Sequence, residues 1–226
     1  MDIPGIEKFN GGSPSIELSS RRFRRHSKIL LLRIGDWATE QTALNPLAQS
    51  LRAQMSLLLP PGEVDVEYIR TLDELAAALR VHGASKRLPD SRQAAPWGYA
   101  ILIGHGRAGE EPALRFGDTW RSVDAITQAI KGLGPARRSF GNAIFISLCC
   151  ETGQESFAKA FSDALNTTFV GPGAAVHSFE AAATVQWLFL EHFLHGCGWA
   201  DAFRHTAQAT AGFDTQFRFW ADGVEK

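Results

Sequence analysis

Only three of the 226 residues are cysteine, and two of them, Cys149 and Cys150, are neighbours. An odd count without a CxxC pair excludes a disulfide framework and suits a reducing cytoplasm. Neither sign of charge is in excess, and a net charge of −1 leaves no electrostatic footprint for nucleic acid. Long apolar runs are missing too. Gln186, Glu191 and His192 break the stretch Ala181–Leu194, which leaves it short of the roughly 20 residues a bilayer-spanning helix needs. The first residues lack the basic, then apolar, then small-residue succession of a signal peptide. Internal repeats are absent. Gly104-His-Gly106 has no GxGxxG or GK[ST] extension, so a phosphate-cradling loop is excluded. These absences lead to an expectation of a cytoplasmic chain with no membrane and no nucleic-acid partner. Its length suffices for one large core.

What is present is alternation. Ile29–Ile34 reads as a buried strand. Asn45-Pro46 opens a helix with a cap residue and a first-turn proline, continued by Leu47, Leu51, Met55 and Leu58. Val64–Ile69 has the period of a half-exposed strand. Thr71-Leu-Asp-Glu74 is a capping box for a helix ended by Gly83, and residues 84–96 read as a polar loop. Tyr99–Ile103 is a strand, Leu114–Thr119 a small hairpin around Gly117-Asp118, and Ser122 caps a helix through Ile126, Ile130 and Leu133. Ala143–Leu148 is the next strand, followed by a helix over Gly153–Leu165 and a short strand at Thr168–Val170. Gly171-Pro-Gly173 reads as a turn, Phe179–His195 as one long helix, Ala200–Ala211 as another and Phe217–Trp220 as a last strand. Alternation of this kind implies an α/β fold with a mainly parallel sheet sandwiched between helices. Residues 1–27, with the cluster Arg21-Arg-Phe-Arg-Arg25, form a basic, flexible N-terminal extension in this reading, and residues 28–226 a single domain.

Two motifs hang from the ends of apolar strands. Tyr99–Ile103 runs into Gly104-His105-Gly106, and Ala143–Leu148 runs into Cys149-Cys-Glu-Thr-Gly153. If the strands are parallel neighbours, His105 and Cys150 emerge together at the carboxyl edge of the sheet, where open α/β folds place their chemistry. An imidazole beside a thiol makes a base and its nucleophile. The following helix start would favour the thiolate further. Gly106, having no side chain, allows its N–H to approach a reacting carbonyl, and the Cys150 N–H is the second donor of an oxyanion hole. A nucleophile elbow is ruled out, because Leu148 and Thr152 stand where it needs glycine. A zinc site at Cys149 and Cys150 is ruled out by their adjacency. His177, His192, His195 and His205 also lack paired-ligand spacing with them. No metal and no cofactor are expected.

Gly104-His105-Gly106 with Ser147-Leu-Cys-Cys-Glu-Thr-Gly153 resembles the CHAT family of caspase-like cysteine peptidases, which shows His-Gly after one strand and Ser-Ala-Cys-Glu-Thr-Gly after the next. The interval of 45 residues from His105 to Cys150 is near the ~50 of caspases. Leu114-Arg-Phe-Gly-Asp118, Phe169-Val-Gly-Pro-Gly173, Ala200-Asp-Ala-Phe-Arg-His205 and Phe219-Trp-Ala221 are similar to later parts of that family. The likeness runs from Trp97 to Lys226. It implies a caspase-like fold and cleavage of protein substrates by a His105–Cys150 dyad through an acyl-enzyme thioester. Cys150 is then the nucleophile, and Cys149 takes a small buried position. It also implies control by a separate regulatory protein, since the family's usual helical repeats are not seen here. Arg107–Pro112 and residues 84–96 are the expected movable segments. Arg107, Arg115 and Arg121 near the cleft are offset by Asp118, Asp124 and Glu151, so substrate charge is left open. The rival reading is a non-catalytic caspase-like scaffold that binds a partner through the same cleft.

Overall fold

A computed structural model of the chain describes residues 28–36, 43–59, 64–83, 98–134, 143–221 and 223–226. The N-terminal extension, its arginine cluster and the loop 84–96 lie outside the described residues.

The chain begins with strand β1 (Ile29–Ile34), helix α1 (Leu44–Leu58), β2 (Val64–Ile69) and α2 (Leu72–Gly83). The second unit is β3 (Tyr99–Ile103), a small run of β4 (Gly106–Arg107), β5 (Ala113–Phe116) and β6 (Thr119–Ser122), then α3 (Val123–Lys131). The third is β7 (Ile144–Ser147), α4 (Glu155–Leu165), β8 (Thr168–Pro172), α5 (Ser178–Phe189) with a π turn at Leu190–Leu194, α6 (Trp199–Ala209), β9 (Phe217–Ala221) and β10 (Val224–Glu225). The main sheet has seven strands in the order β10-β9-β8-β7-β3-β1-β2. The pairs from β8 to β2 are parallel, and β9 and β10 add antiparallel edges.

The continuous apolar runs become central strands because helices cover both their faces. Side chains alternate across the sheet. Leu30, Leu32, Ala100, Leu102 and Phe145 enter one core, with α2, α3 and α4. Ile29, Leu31, Ile101, Ile103 and Ile146 enter the other, with α1, α5 and α6. In the first core Phe145, Phe157, Phe161 and Phe169 are all buried, with ring centroids 4.9–5.9 Å apart for the four contacting pairs. Each such ring contributes about 2–3 kcal/mol by leaving water. Together they clamp β7, α4 and β8 around the turn that carries Cys150.

Local signals explain most element ends. The capping box forms in full: Glu74 N–H donates to Thr71 Oγ1 at 3.1 Å and Thr71 N–H to Glu74 Oε2 at 3.2 Å. Ser122 Oγ accepts from Ala125 N–H. The hairpin turns at Gly117, whose φ of 53° suits a residue without Cβ.

Several expectations need correction. Asn45 does not cap α1, whose N-cap is Ala43. Its amide oxygen instead accepts from Nε of Arg33, a fully buried arginine at the end of β1. Gly171-Pro172 is strand and not turn, paired with Arg218 and Phe217. The long helix ends early in a π turn. After His105, β4, β5 and β6 form a small sheet with Leu114 and Phe116 buried, and residues 108–112 connect β4 to β5 at the surface.

Candidate active site

Strands β3 and β7 are parallel neighbours in the register Tyr99↔Ile144 to Leu102↔Ser147. Leu148 N–H still donates to the Leu102 carbonyl at 2.8 Å, beyond the last paired residue. His105 and Cys150 each follow the last paired residues, Leu102 and Ser147, by three positions. Both lie on loops at the carboxyl edge, His105 between β3 and β4 and Cys150 in the turn before α4.

The glycines on either side of His105 are set by close approach. A Cβ on Gly104 would lie 2.8 Å from the Ile34 carbonyl oxygen, where the loop crosses the end of β1. A Cβ on Gly106 would lie 2.4 Å from the Cys150 carbonyl oxygen and 2.9 Å from the Thr152 methyl. The His105 loop therefore packs directly on the Cys150 turn, and any side chain at 106 would force them apart.

Each residue of Cys150-Glu-Thr-Gly153 has a structural task. Glu151 adopts a left-handed φ of 63°, and its Oε2 accepts from Ala108 N–H at 2.8 Å. This carboxylate, one of the charges expected near the cleft, ties the thiol turn to the segment after His105. The Thr152 hydroxyl is buried 2.8 Å from both Ser147 Oγ and the Cys149 carbonyl. Gly153 N–H donates to the Pro172 carbonyl at 2.7 Å, and its own carbonyl accepts from Trp220 Nε1. The backbone of Gly153 so closely meets that of Gly171 that a Cβ would sit 2.1 Å from the Gly171 oxygen.

The two adjacent thiols have opposite surroundings. Cys149 is fully buried in the core with α2–α4. Burial pushes its thiol up to about 12, against smaller opposing effects of its hydrogen bond with Ser147 and the Arg33 charge. It therefore stays a protonated, inert thiol at physiological pH. Cys150 is partly accessible, and its Sγ accepts from Val176 N–H at 3.5 Å, with the Val176 carbonyl 3.9 Å away. The expected helix dipole is weaker than the sequence implied, because α4 starts at Glu155 and not at Gly153. Val176 was not legible as a neighbour, since 26 residues separate it from Cys150.

The charges named from the sequence are mostly paired. Arg115 meets Asp118 at 3.6 Å and Arg107 meets Glu111 at 3.8 Å. Arg107 also lies 4.7 Å over the Trp120 ring. Arg107, Arg121, Glu110, Glu111 and Asp124 line one groove of mixed sign beside β4–β6.

The chain matches no family model and no curated protein. Among solved structures it is similar to the Drosophila initiator caspase Dronc, with a TM-score of 0.56 at 12% identity over 91% of this chain and 82% of that one. It is also similar to a secreted C11 cysteine protease from Bacteroides thetaiotaomicron, with a TM-score of 0.52 at 9% identity over 87% of this chain and 67% of that one. The chain has a caspase-like fold. A second structure of the C11 protease, in complex with an irreversible peptide inhibitor, has a TM-score of 0.51 at 9% identity, over 87% of this chain and 66% of that one. Among the described residues no helix is long and apolar enough to cross a membrane.

One outcome separates the two thiols of the caspase-like edge without any knowledge of substrate. Iodoacetamide at neutral pH should alkylate Cys150 readily and leave Cys149 unmodified until the protein is unfolded, as read by peptide mass spectrometry. Native-state labelling of Cys149 ahead of Cys150 would reverse the assignment.

Proposed function

We propose that this chain is a cysteine endopeptidase of the CHAT type, in which His105 and Cys150 hydrolyse peptide bonds of protein substrates. The supporting observation is the equal offset of these two residues from the ends of a parallel strand pair, in a caspase-like fold. His105 takes the Cys150 proton, and the sulfur bonds to the scissile carbonyl carbon. The N–H groups of Gly106 and Cys150 receive the resulting oxyanion, each lowering the barrier by about 3 kcal/mol. The C–N bond then breaks, and the imidazolium gives its proton to the leaving amine. Water, deprotonated by His105, attacks the thioester. The C–S bond breaks, the acid product leaves, and the proton returns to sulfur.

Glu151 is a positioning residue in this scheme, because its bond to Ala108 N–H holds base loop and nucleophile turn at a fixed separation. Control by a separate protein partner belongs to the same reading, since a preassembled cytoplasmic peptidase must be held in check. Residues 28–226 act as its single catalytic unit.

The test is a peptide-library cleavage profile of the wild type and Cys150→Ala in parallel, alone and with host-cell extract. Cleavage at a restricted set of bonds by the wild type, lost in the variant, is the expected result. A folded wild type that cleaves nothing in either condition, yet captures the same proteins as Cys150→Ala, would favour the scaffold.

A further inference from the structure

A second cluster of reactive side chains lies away from the dyad, where α5 gives way to α6. The sequence there is Leu190-Glu-His-Phe-Leu-His-Gly-Cys197. Its backbone widens into the π turn, with His195 N–H donating to the Leu190 carbonyl at 3.2 Å. Single π turns of this kind recur at functional sites. Gly196 then takes a left-handed φ of 70°, and Cys197 N–H closes back on the Glu191 carbonyl at 3.0 Å. That reversal brings Cys197 beside Glu191, and α6 delivers His205 to the same point.

Three donors converge there. Glu191 Oε2 lies 3.5 Å from Cys197 Sγ and 2.9 Å from His205 Nδ1, and the sulfur lies 3.9 Å from that nitrogen. The point equidistant from the corners of such a triangle is about 2 Å from each, close to the length of a zinc–nitrogen or zinc–oxygen bond. Glu191 is the buried member, while His205 is 43% exposed at its side chain and so open to an incoming ion. The other carboxylate oxygen, Oε1, is held by His195 Nδ1 at 2.9 Å, as an outer partner commonly orients a ligating carboxylate. His192 fixes the turn from behind, with Nδ1 2.8 Å from the Cys197 carbonyl and Nε2 3.0 Å from the Tyr99 hydroxyl.

We propose that Glu191, Cys197 and His205 bind a divalent cation of the zinc class, with His195 steadying the carboxylate. A mixed sulfur, nitrogen and oxygen set favours zinc over magnesium or calcium. The cluster is not a second Cys-His-Glu triad. A triad presents its thiol and carboxylate to different ring nitrogens, whereas here both meet Nδ1 of His205. Without metal, burial and the nearby carboxylate raise the Cys197 thiol, and the His205 hydrogen bond chiefly lowers Glu191. A metal bound at the sulfur displaces the thiol proton. The bound ion ties the end of α5 to α6. It does so next to Tyr99, at the opposite end of β3 from His105, so this site stands or falls independently of the peptidase reading.

The experiment uses the full chain carrying Cys150→Ala, which removes the accessible dyad thiol. The protein is stripped with chelator and titrated with Co2+, then Zn2+. One cobalt per chain should bind, with the sulfur-to-cobalt charge-transfer absorption of a thiolate ligand, and zinc should displace it. Adding Cys197→Ala should abolish that absorption, and His205→Gln should weaken binding at least about 10-fold. Circular dichroism of the metal-free variants reports folding. A second arm needs no ligand variant: Zn2+ should protect Cys197 from iodoacetamide, mapped by mass spectrometry. Charge-transfer absorption that survives Cys197→Ala, or Zn2+ that leaves Cys197 labelling unchanged, would overturn the site and leave an ion-pair cluster.

Discussion

Cys150→Ala should lower peptide hydrolysis by about 10⁴-fold or more, and His105→Ala by a similar factor. The double variant should be no worse than either single one. In the proposed dyad nucleophile and base act as one unit, so the second loss would remove nothing that still works. Cys149→Ala should keep most of the turnover. Its sulfur is fully buried and faces the core with α2–α4, so the change removes packing only, at a cost of roughly 1 kcal/mol. Steady-state kinetics on any cleaved peptide checks all four proteins. An inactive Cys149→Ala beside an active Cys150→Ala would mean the wrong thiol had been assigned. Equal losses in the double and single variants, with unchanged thermal midpoints, would place both side chains in one reacting unit.

The largest stability effect should come from Gly153→Ala. A methyl there would stand 2.1 Å from the Gly171 carbonyl oxygen and 2.8 Å from the Pro172 carbonyl carbon. These are backbone atoms of a paired strand and cannot swing aside as a side chain can. Three ties would open together: Gly153 N–H to Pro172, Trp220 Nε1 to Gly153, and Gln154 Nε2 to the Gly173 carbonyl. The expected destabilisation is about 3 kcal/mol or more, the upper end of overpacking. Urea unfolding against the wild type measures it. A shift of the midpoint by less than an ordinary surface substitution would show that β8 can retreat from the turn. Gly134→Ala makes an instructive contrast, since a Cβ there meets nothing within 4 Å and only its φ of 58° opposes the change.

The strands were legible because their apolar runs are short, bounded and dense in branched residues. Ile29–Ile34, Val64–Ile69 and Tyr99–Ile103 end where the sequence pattern ends. Gly117 was legible as a turn glycine, but Gly171 was singled out for the wrong reason. Gly171 looked like part of a turn, yet it sits within a strand because Gly153 must pass close by. Asn45 looked like a cap because cap chemistry is local, whereas its true partner, Arg33, lies on another element. The partner of Glu151 was not legible for the same reason, as Ala108 is 43 residues away. Likewise, the Glu191, Cys197 and His205 cluster has no recognisable spacing, because a π turn and a reversal at Gly196 bring its members together. Patterns within one element were readable. Contacts between elements were readable only where a matching motif marked both ends.

The position of β3 has a consequence for how the protein comes into being. It is sandwiched in the sheet between β1, which precedes it, and β7, which follows it. During synthesis β1, α1, β2 and α2 emerge first and can pair locally. Strand β3 then has one neighbour but lacks the other until residue 147 has been made. In the proposed dyad, the juxtaposition of imidazole and thiol depends on the pairing of β3 with β7, a contact of high sequence separation whose loop-closure entropy delays it. On the peptidase reading, a nascent or misfolded chain carries both groups but not their alignment, and the growing polypeptide is protected from that chemistry by the order in which its sheet is completed.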